Sequence, residues 1–252
     1  MPEPLTLAGV QPPSTSHDVA ANVAEHVLTI HAAHSRVVLF PELSLTGYEL
    51  DAQDVVPDDP RLEPLIEACA SSNTVALVGA PVGGSIAMLR VDSTGITVAY
   101  RKMWLGHIEA DHFEPGEKPA VITVDGRRLG LAICKDTGVR RHAADTAALG
   151  LDAYLGGVCE DDADVLANRS RRIAAEHGVW VAFASFAGMT GGGYERPPEA
   201  PASAPRRASS PPRRARNPAA SPGRSWSDYR PCRPKALYFP LRLHVARTRG
   251  WE

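Results

Sequence analysis

Three residues whose side chains can act as a base, a cation and a nucleophile each follow a strand-like apolar run. Glu42 follows RVVLFP, Lys102 follows ITVAYR, and Cys134 follows RLGLAI. Strand ends are where rigid scaffolds present reactive groups to a cleft. A carboxylate held against a thiol can take its proton, and an ammonium can stabilise the oxyanion that forms when the thiolate attacks a carbonyl or nitrile carbon. The three residues together have the chemistry of covalent acyl transfer.

Each of the three also has an interpretation that involves no catalysis. A cysteine that closes a strand is commonly buried apolar filling. Glu42 fits a turn, and Lys102 fits a solvated strand end. Spacing alone does not separate these interpretations from a catalytic site.

Alternating strands and helices are predicted over the first 194 residues. The apolar runs predict strands over 5–10, 36–40, 74–82, 86–92, 96–102, 120–125, 128–134, 153–158 and 179–186. Helical periodicity over Asp18–His34 has Ser14, Thr15 and Ser16 as candidate caps, and further helices are expected around 62–69, 141–149 and 161–178. Turns at Ser93–Gly95 and Asp125-Gly126 predict hairpins between helices. The pattern indicates mixed sheets covered by helices.

The chain divides sharply after Tyr194. Residues 195–252 hold 13 Lys and Arg against 4 Asp and Glu, and 11 of the 22 prolines. The preceding residues 1–194 hold 14 basic and 25 acidic groups. Proline removes hydrogen-bond donors and breaks helices, so we expect the Arg/Pro/Ser-rich residues 195–252 to be a disordered tail.

Composition excludes several protein classes. With 44% apolar residues the chain can build a core, which excludes global disorder. We expect no transmembrane segment and no signal peptide. Single scattered cysteines argue against a disulfide scaffold or structural zinc site and favour a cytoplasmic protein. The four are Cys69, Cys134, Cys159 and Cys232.

No metal or nucleic-acid site is predicted. The histidine pairs lack a third ligand, and Asp161, Asp162 and Asp164 are interpreted as helix caps. The glycines 191–193 lack the Lys-Ser/Thr of a phosphate-binding loop. The arginine-rich tail has too few interleaved aromatic residues for specific nucleic-acid binding.

The segments around the three polar residues resemble the signatures of the carbon–nitrogen hydrolase, or nitrilase, superfamily. These segments are FPELSLTGYEL (40–50), YRKMWL (100–105) and LGLAICKD (129–136). HFEPG (112–116) resembles the Phe-x-Pro-Gly element of the family, and residues 171–193 resemble its helix, strand and glycine loop. The resemblance covers residues 5–194.

The resemblance implies an α-β-β-α sandwich that hydrolyses a non-peptide carbon–nitrogen bond without a cofactor or metal. Glu42 would be the general base, Lys102 the oxyanion stabiliser and Cys134 the nucleophile, with Glu109 as an assisting glutamate. The backbone N–H of Lys135 would be a second oxyanion donor. We place Lys135, Trp104 and Phe186 at the substrate pocket. The expected partner is a small amide, carbamoyl or nitrile substrate, and the family implies a homodimer.

The chain departs from the family in two places. Lys135-Asp136 follow the nucleophile, where an aromatic residue and an acid are common, so Lys135 is the residue that departs from the pattern. The strands that normally complete the sandwich are not recognisable in residues 195–252, so we expect them to be missing or replaced. Our hypothesis is a frameshift near Tyr194. Two alternatives follow: a poorly folded, inactive remnant that cannot dimerise, or a transferase that uses the same triad.

Overall fold

Two sheets face each other and enclose the largest apolar cluster among the described residues. The computed structural model describes residues 4–186 and the backbone of Arg242–Ala246. One sheet contains β1 (Thr6–Val10), β2 (Val37–Leu39), β3 (Val75–Val82), β4 (Ser85–Asp92), β5 (Gly95–Arg101) and β10 (Arg242–Ala246). The other contains β6 (Ala120–Val124), β7 (Arg127–Ile133), β8 (Ala153–Gly157) and β9 (Trp180–Ala184).

Both sheets are mixed, as the sequence predicts. The first has the order β10-β1-β2-β3-β4-β5, in which β1, β2 and β3 run parallel and β3, β4 and β5 are successive antiparallel neighbours. The second has the order β6-β7-β8-β9, with a β6–β7 hairpin followed by parallel pairs. Two reversals make β5 run in the direction of β2, so both strands end at the same edge of their sheet.

Alternation along the strands divides the apolar residues between two environments. In β2, Val37 and Leu39 join the cluster between the sheets, whereas Val38 joins the cluster beneath the helices. This is the period of two that a strand with both faces buried requires. The outer cluster of the first sheet also contains Ile30 and Leu65 from its covering helices.

In the part of the chain that the structure describes, four helices cover the outer faces. They are α1 (Val19–Ala33) and α2 (Glu63–Ser72) on the first sheet, and α3 (Arg140–Ala148) and α4 (Ala163–His177) on the second. The layers are therefore those of the predicted α-β-β-α sandwich. None of the described helices has the length and apolarity to cross a membrane.

Aspartates cap the two long helices. Asp162 accepts from the backbone N–H groups of Asp164 and Val165, and α4 stops before Gly178, as predicted. The caps proposed for α1 were wrong: Asp18, not one of the three serine and threonine residues before it, accepts from Ala21 N. Asp18 directly precedes the first helical residue, which is where a side-chain oxygen reaches the unpaired N–H groups.

One segment of the expected tail forms a strand. Residues 242–246 pair in parallel with Thr6–Val10. The structure therefore differs from the expectation of disorder at these five residues, because their backbone supplies partners to an edge of β1 that would otherwise lack them. Residues 187–241 and 247–252, with the proposed frameshift, lie outside the described residues.

Candidate active site

Glu42 lies in a tight loop that leaves the end of β2. The loop stays attached to β3, because Phe40 N donates to Leu77 O at 2.9 Å and Leu45 N donates to Gly79 O at 3.0 Å. The loop passes so close to β3 that a Cβ on Gly79 would lie 2.4 Å from both Leu43 N and Pro41 O. Only glycine leaves this space, so Gly79 is part of what places the buried Glu42 carboxylate.

Lys102 is the first residue beyond β5, and its side chain is only 1% exposed. Its backbone is fixed on both sides, since Lys102 N donates to Ile86 O at 2.8 Å and its carbonyl accepts from Gly116 N at 2.7 Å. The ammonium donates to Glu42 Oε1 at 2.6 Å and to both oxygens of Glu109 at 2.7 Å. Its three hydrogens thus have carboxylate acceptors on two sides.

Glu109 lies in a single 3₁₀ turn, Glu109–Asp111, and is almost fully buried. Besides the lysine, it accepts from the hydroxyl of Tyr48 at 2.5 Å and from the backbone N–H of Gly106. Burial alone would raise the pKa of Glu109, but the Lys102 ammonium and these hydrogen bonds hold it below its usual value. Glu109 is therefore a fixed anion behind the lysine.

The electrostatics of Glu42 are different. Burial raises the pKa of its carboxyl to about 7, although the Lys102 ammonium works in the opposite direction. Its Oε1 accepts from Lys102, while the buried Oε2 has no hydrogen-bond donor among the described residues. A carboxylate with one open oxygen and a pKa near neutrality has the properties of a general base.

Cys134 begins a 3₁₀ turn, Cys134–Gly138, directly after β7. Its φ is 39°, a left-handed conformation that is uncommon for a residue other than glycine. Its Sγ lies 3.7 Å from the carbonyl oxygen of Cys159. Backbone strain of this kind clusters at functional sites, where the surrounding structure holds it in place.

The thiol and the two charged groups influence one another. Burial and the charge of Glu42 raise the pKa of the Cys134 thiol, whereas the Lys102 ammonium lowers it. Burial also opposes the charge of Lys102, but the neighbouring acidic groups keep the pKa of the ammonium above its usual value. The resting site therefore holds a thiol, a lysine cation and a nearby carboxylate that can take a proton.

The remaining predicted residues lie around this centre in different ways. Trp104 is 38% exposed, and the exposed Lys135 donates from its ammonium to the carbonyl of Leu105, in the loop that follows Lys102. Phe186 is partly buried and packs against the same central cluster as Cys134. The structure brings Glu42, Lys102, Glu109 and Cys134 together.

Tyr48, Asp136 and Cys159 belong to the same region and were not predicted as site residues. Tyr48 lies within the FPELSLTGYEL segment, where a tyrosine among apolar neighbours was an available signal. Asp136 accepts from Trp104 N at 2.9 Å. Cys159 comes two residues beyond β8, and no sequence pattern pairs it with Cys134.

One group in the described chain has the donor types of a metal site. Ligand atoms of His17, Glu49 and Asp51 lie within 4.8 Å of one another. The side chains are also held by hydrogen bonds: His17 Nε2 lies 3.0 Å from Asp51 Oδ1, and Ser16 donates to Glu49 at 2.6 Å. These contacts account for the arrangement without an ion.

The fold and these motifs define the class of protein. The profile of the family described as "Carbon-nitrogen hydrolase" matches residues 6–196. The chain belongs to this family.

Two curated relatives match over parts of their length. The chain is 30% identical over 173 residues to a glutamine-dependent NAD(+) synthetase of Aquifex aeolicus (strain VF5), covering 57% of this chain and 28% of that protein. It is 26% identical over 148 residues to an (R)-stereoselective amidase of Pseudomonas sp, covering 55% of this chain and 54% of that protein. The chain thus spans about half or less of these relatives.

Solved structures agree in fold. An alanine variant of the amidase from Nesterenkonia sp. AN1, in complex with butyramide, has a TM-score of 0.62 at 25% identity, over 73% of this chain and 77% of that one. A CN-hydrolase superfamily protein from Xanthomonas campestris, with an arsenic adduct in its active site, has a TM-score of 0.63 at 18% identity, over 74% and 77%.

Proposed function

We propose that this protein hydrolyses small non-peptide amides through a thioester on Cys134. The observation that carries the proposal is the buried Lys102 ammonium, bound by Glu42 and Glu109 and electrostatically coupled to the Cys134 thiol. A lysine with a purely structural role would not require a thiol nearby. A cysteine with a purely structural role would not require a carboxylate whose pKa is raised. The combination of these groups therefore favours a catalytic role.

In acylation, Glu42 takes the proton of Cys134 while Sγ bonds to the carbonyl carbon. The carbonyl oxygen becomes an oxyanion next to the Lys102 ammonium and the backbone N–H of Lys135. When the intermediate collapses, the carbon–nitrogen bond breaks, and Glu42 returns its proton to the nitrogen. Ammonia leaves, and the acyl group remains on sulfur.

In deacylation, Glu42 acts as the base a second time. It takes a proton from water as the water oxygen bonds to the thioester carbon. Collapse breaks the carbon–sulfur bond, releases the carboxylic acid and returns the proton to Cys134. Glu109 takes no proton in this sequence; with its pKa held low, it stays charged and keeps Lys102 in place.

The choice of an amide substrate is supported by the relatives. An amidase is among the matched sequences, and the Nesterenkonia enzyme was captured with butyramide and with acrylamide joined to its active-site cysteine. Trp104 and Phe186 would supply apolar contacts to the acyl chain. Nitriles and carbamoyl amines belong to the same chemistry and are the competing substrates.

The test is ammonia release by the purified full-length chain from butyramide, butyronitrile and a carbamoyl amine. Cys134→Ala should abolish release and also the thioester adduct seen by mass spectrometry. Cys69→Ala is the matched control, because this thiol is buried in the outer cluster beneath the helices. Retained turnover by Cys134→Ala overturns the proposal. Added hydroxylamine separates hydrolysis from transfer, since a transferase yields mainly hydroxamate.

A further inference from the structure

A single buried carboxylate is hydrogen-bonded to both segments that carry the reacting groups. Asp136 Oδ2 accepts from Ile133 N at 2.9 Å, one residue before Cys134. Its Oδ1 accepts from Trp104 N at 2.9 Å, two residues after Lys102. Asp136 is fully buried, so these bonds are not exchanged with water.

The two segments come from different sheets. Lys102 follows β5 in the six-stranded sheet, and Cys134 follows β7 in the four-stranded sheet. Strands within one sheet are spaced by their hydrogen-bond ladder, but no ladder fixes the distance between two facing sheets. Asp136 makes hydrogen bonds across this gap, at the point where the ammonium and the thiol have to meet.

A series of hydrogen-bonded, buried side chains fixes the orientation of the Asp136 carboxylate. The hydroxyl of Tyr100 donates to Asp136 Oδ2 at 2.7 Å and lies 2.8 Å from His142 Nε2. Because the one hydroxyl hydrogen goes to the carboxylate, Nε2 is assigned as the protonated nitrogen that donates to Tyr100. His142 Nδ1 then accepts from the hydroxyl of Tyr154 at 2.8 Å. Each polar side-chain atom in this series thus has a hydrogen-bond partner.

We propose that Asp136 is a positioning residue that sets the spacing between Lys102 and Cys134, with Tyr100, His142 and Tyr154 fixing its orientation. The inference rests on the proposed function, since it assumes that these two groups react together. Asp136 touches neither substrate nor sulfur and transfers no proton. It acts through the backbone of the two segments that it binds.

The geometry specifies what a substitution does. Asp136→Asn keeps the shape but replaces one acceptor oxygen with an NH₂ donor. Whichever way the amide is turned, its NH₂ group faces a backbone N–H, and at least one of the two segments is released. Tyr100→Phe is milder, because it removes one donor to the carboxylate and leaves both backbone hydrogen bonds possible.

The experiment measures the alkylation of Cys134 by iodoacetamide, in which sulfur bonds to the reagent carbon and iodide leaves. Peptide mass spectrometry follows the rate at Cys134 from pH 5 to 10 in the full-length chain. The titratable groups that influence this thiol are Glu42, Lys102, Glu109 and Cys159. We expect Asp136→Asn to slow alkylation at neutral pH about tenfold, the cost of about one lost hydrogen bond, and to move the profile to higher pH. Tyr100→Phe should act in the same direction with a smaller effect.

Ile173→Ala is the control for general loss of stability, because Ile173 packs in the same outer cluster as Tyr154. It should melt at a lower temperature and keep the native alkylation profile. The inference is overturned if Asp136→Asn and Tyr100→Phe melt lower but alkylate as the native chain does. If Asp136→Asn does not fold, Tyr100→Phe alone decides between these results.

A second comparison separates this inference from the proposed function. Glu42→Gln removes the proposed base and should abolish ammonia release from butyramide. If release continues at the native rate, the triad is wrong, and the positioning role fails with it. If Glu42→Gln abolishes release and the Asp136 and Tyr100 variants alkylate as the native chain does, only the positioning role is wrong.

Discussion

The hydroxyl of Tyr48 donates a 2.5 Å hydrogen bond to Oε1 of Glu109, the same oxygen that accepts from the Lys102 ammonium. The tyrosine thereby helps to keep Glu109 ionised, since this bond contributes to its lowered pKa. Glu109 in turn holds the lysine at a fixed distance from Glu42. The position of the Lys102 ammonium thus depends on Tyr48, which acts on it through Glu109.

Tyr48→Phe should therefore lower kcat while leaving the fold intact. The ring still packs in the central cluster, and the hydrogen bond that the hydroxyl donates to Glu109 is lost. We expect a decrease in kcat of about three- to tenfold, the equivalent of one hydrogen bond, with little change in KM. Steady-state kinetics on the best amide checks this. In a Glu109→Gln background the same change should have a much smaller effect; equal effects in both backgrounds would contradict the coupling.

The rate of amide hydrolysis should rise with pH through neutrality. Glu42 has to be deprotonated to accept the thiol proton, and its pKa is raised to about 7, chiefly by burial. We expect kcat/KM to be low at pH 5 and to increase with a midpoint near that value. A profile already flat between pH 5 and 8 would show that a group of ordinary carboxyl pKa serves as the base.

The same carboxyl should make the protein less stable as the pH rises. The pKa of Glu42 is about 7 in the folded protein, whereas the ordinary value of 4.5 applies to the unfolded chain. Folding therefore favours the protonated form of this carboxyl. The stabilisation is complete below about pH 4.5 and is lost as the pH rises through 7, an effect of about 3 kcal/mol at most. Glu42→Gln lacks this dependence. In urea titrations, the unfolding free energy of Glu42→Gln should exceed that of the native chain by more at pH 8 than at pH 5. The same excess at both pH values would contradict the argument.

Much of the fold was predictable because each apolar run is short and bounded by turn residues. The Asp125-Gly126 turn is an example: both residues have positive φ, as a tight hairpin requires, and β6 and β7 pair across it. Glu42, Lys102 and Cys134 could be singled out for the same reason, since each directly follows such a run. The sequence could not place these three strand ends together without the family resemblance.

Contacts between distant segments were not predictable. Asp136 lies 36 residues from Tyr100 and 32 from Trp104, and its hydrogen bonds to them depend on how two sheets pack. Tyr48 and Glu109 are likewise 61 residues apart. The pairing of 242–246 with β1 was missed because an isolated apolar run carries no information about which strand edge is open.

The backbone at Cys134 supplies a prediction about stability. With φ at 39°, this residue occupies a conformation that costs a non-glycine side chain about 1 kcal/mol or more. Cys134→Gly should therefore unfold at a higher denaturant concentration than Cys134→Ala, although glycine normally destabilises. Both variants should be inactive, so the comparison isolates the strain. A lower midpoint for the glycine variant would indicate that the turn carries no strain.

The close approach of β3 to the Glu42 loop gives the last prediction. Gly79→Ala would place a Cβ 2.4 Å from Leu43 N and Pro41 O, both backbone atoms that cannot move aside as a side chain can. The loop has to shift, which lengthens the contact between Glu42 and Lys102. We expect a loss of stability of about 1–3 kcal/mol and a fall in kcat/KM of tenfold or more, about 1.4 kcal/mol or more in barrier.

Gly138→Ala is the matched control for this change. A Cβ there would meet only the Arg169 side chain at 3.6 Å, an ordinary contact. Its effect on melting temperature and on kcat/KM should be small by comparison. If Gly79→Ala keeps native activity while its melting temperature falls, the loop has moved without disturbing Glu42. The close packing at Gly79 would then serve the fold and not the position of the base.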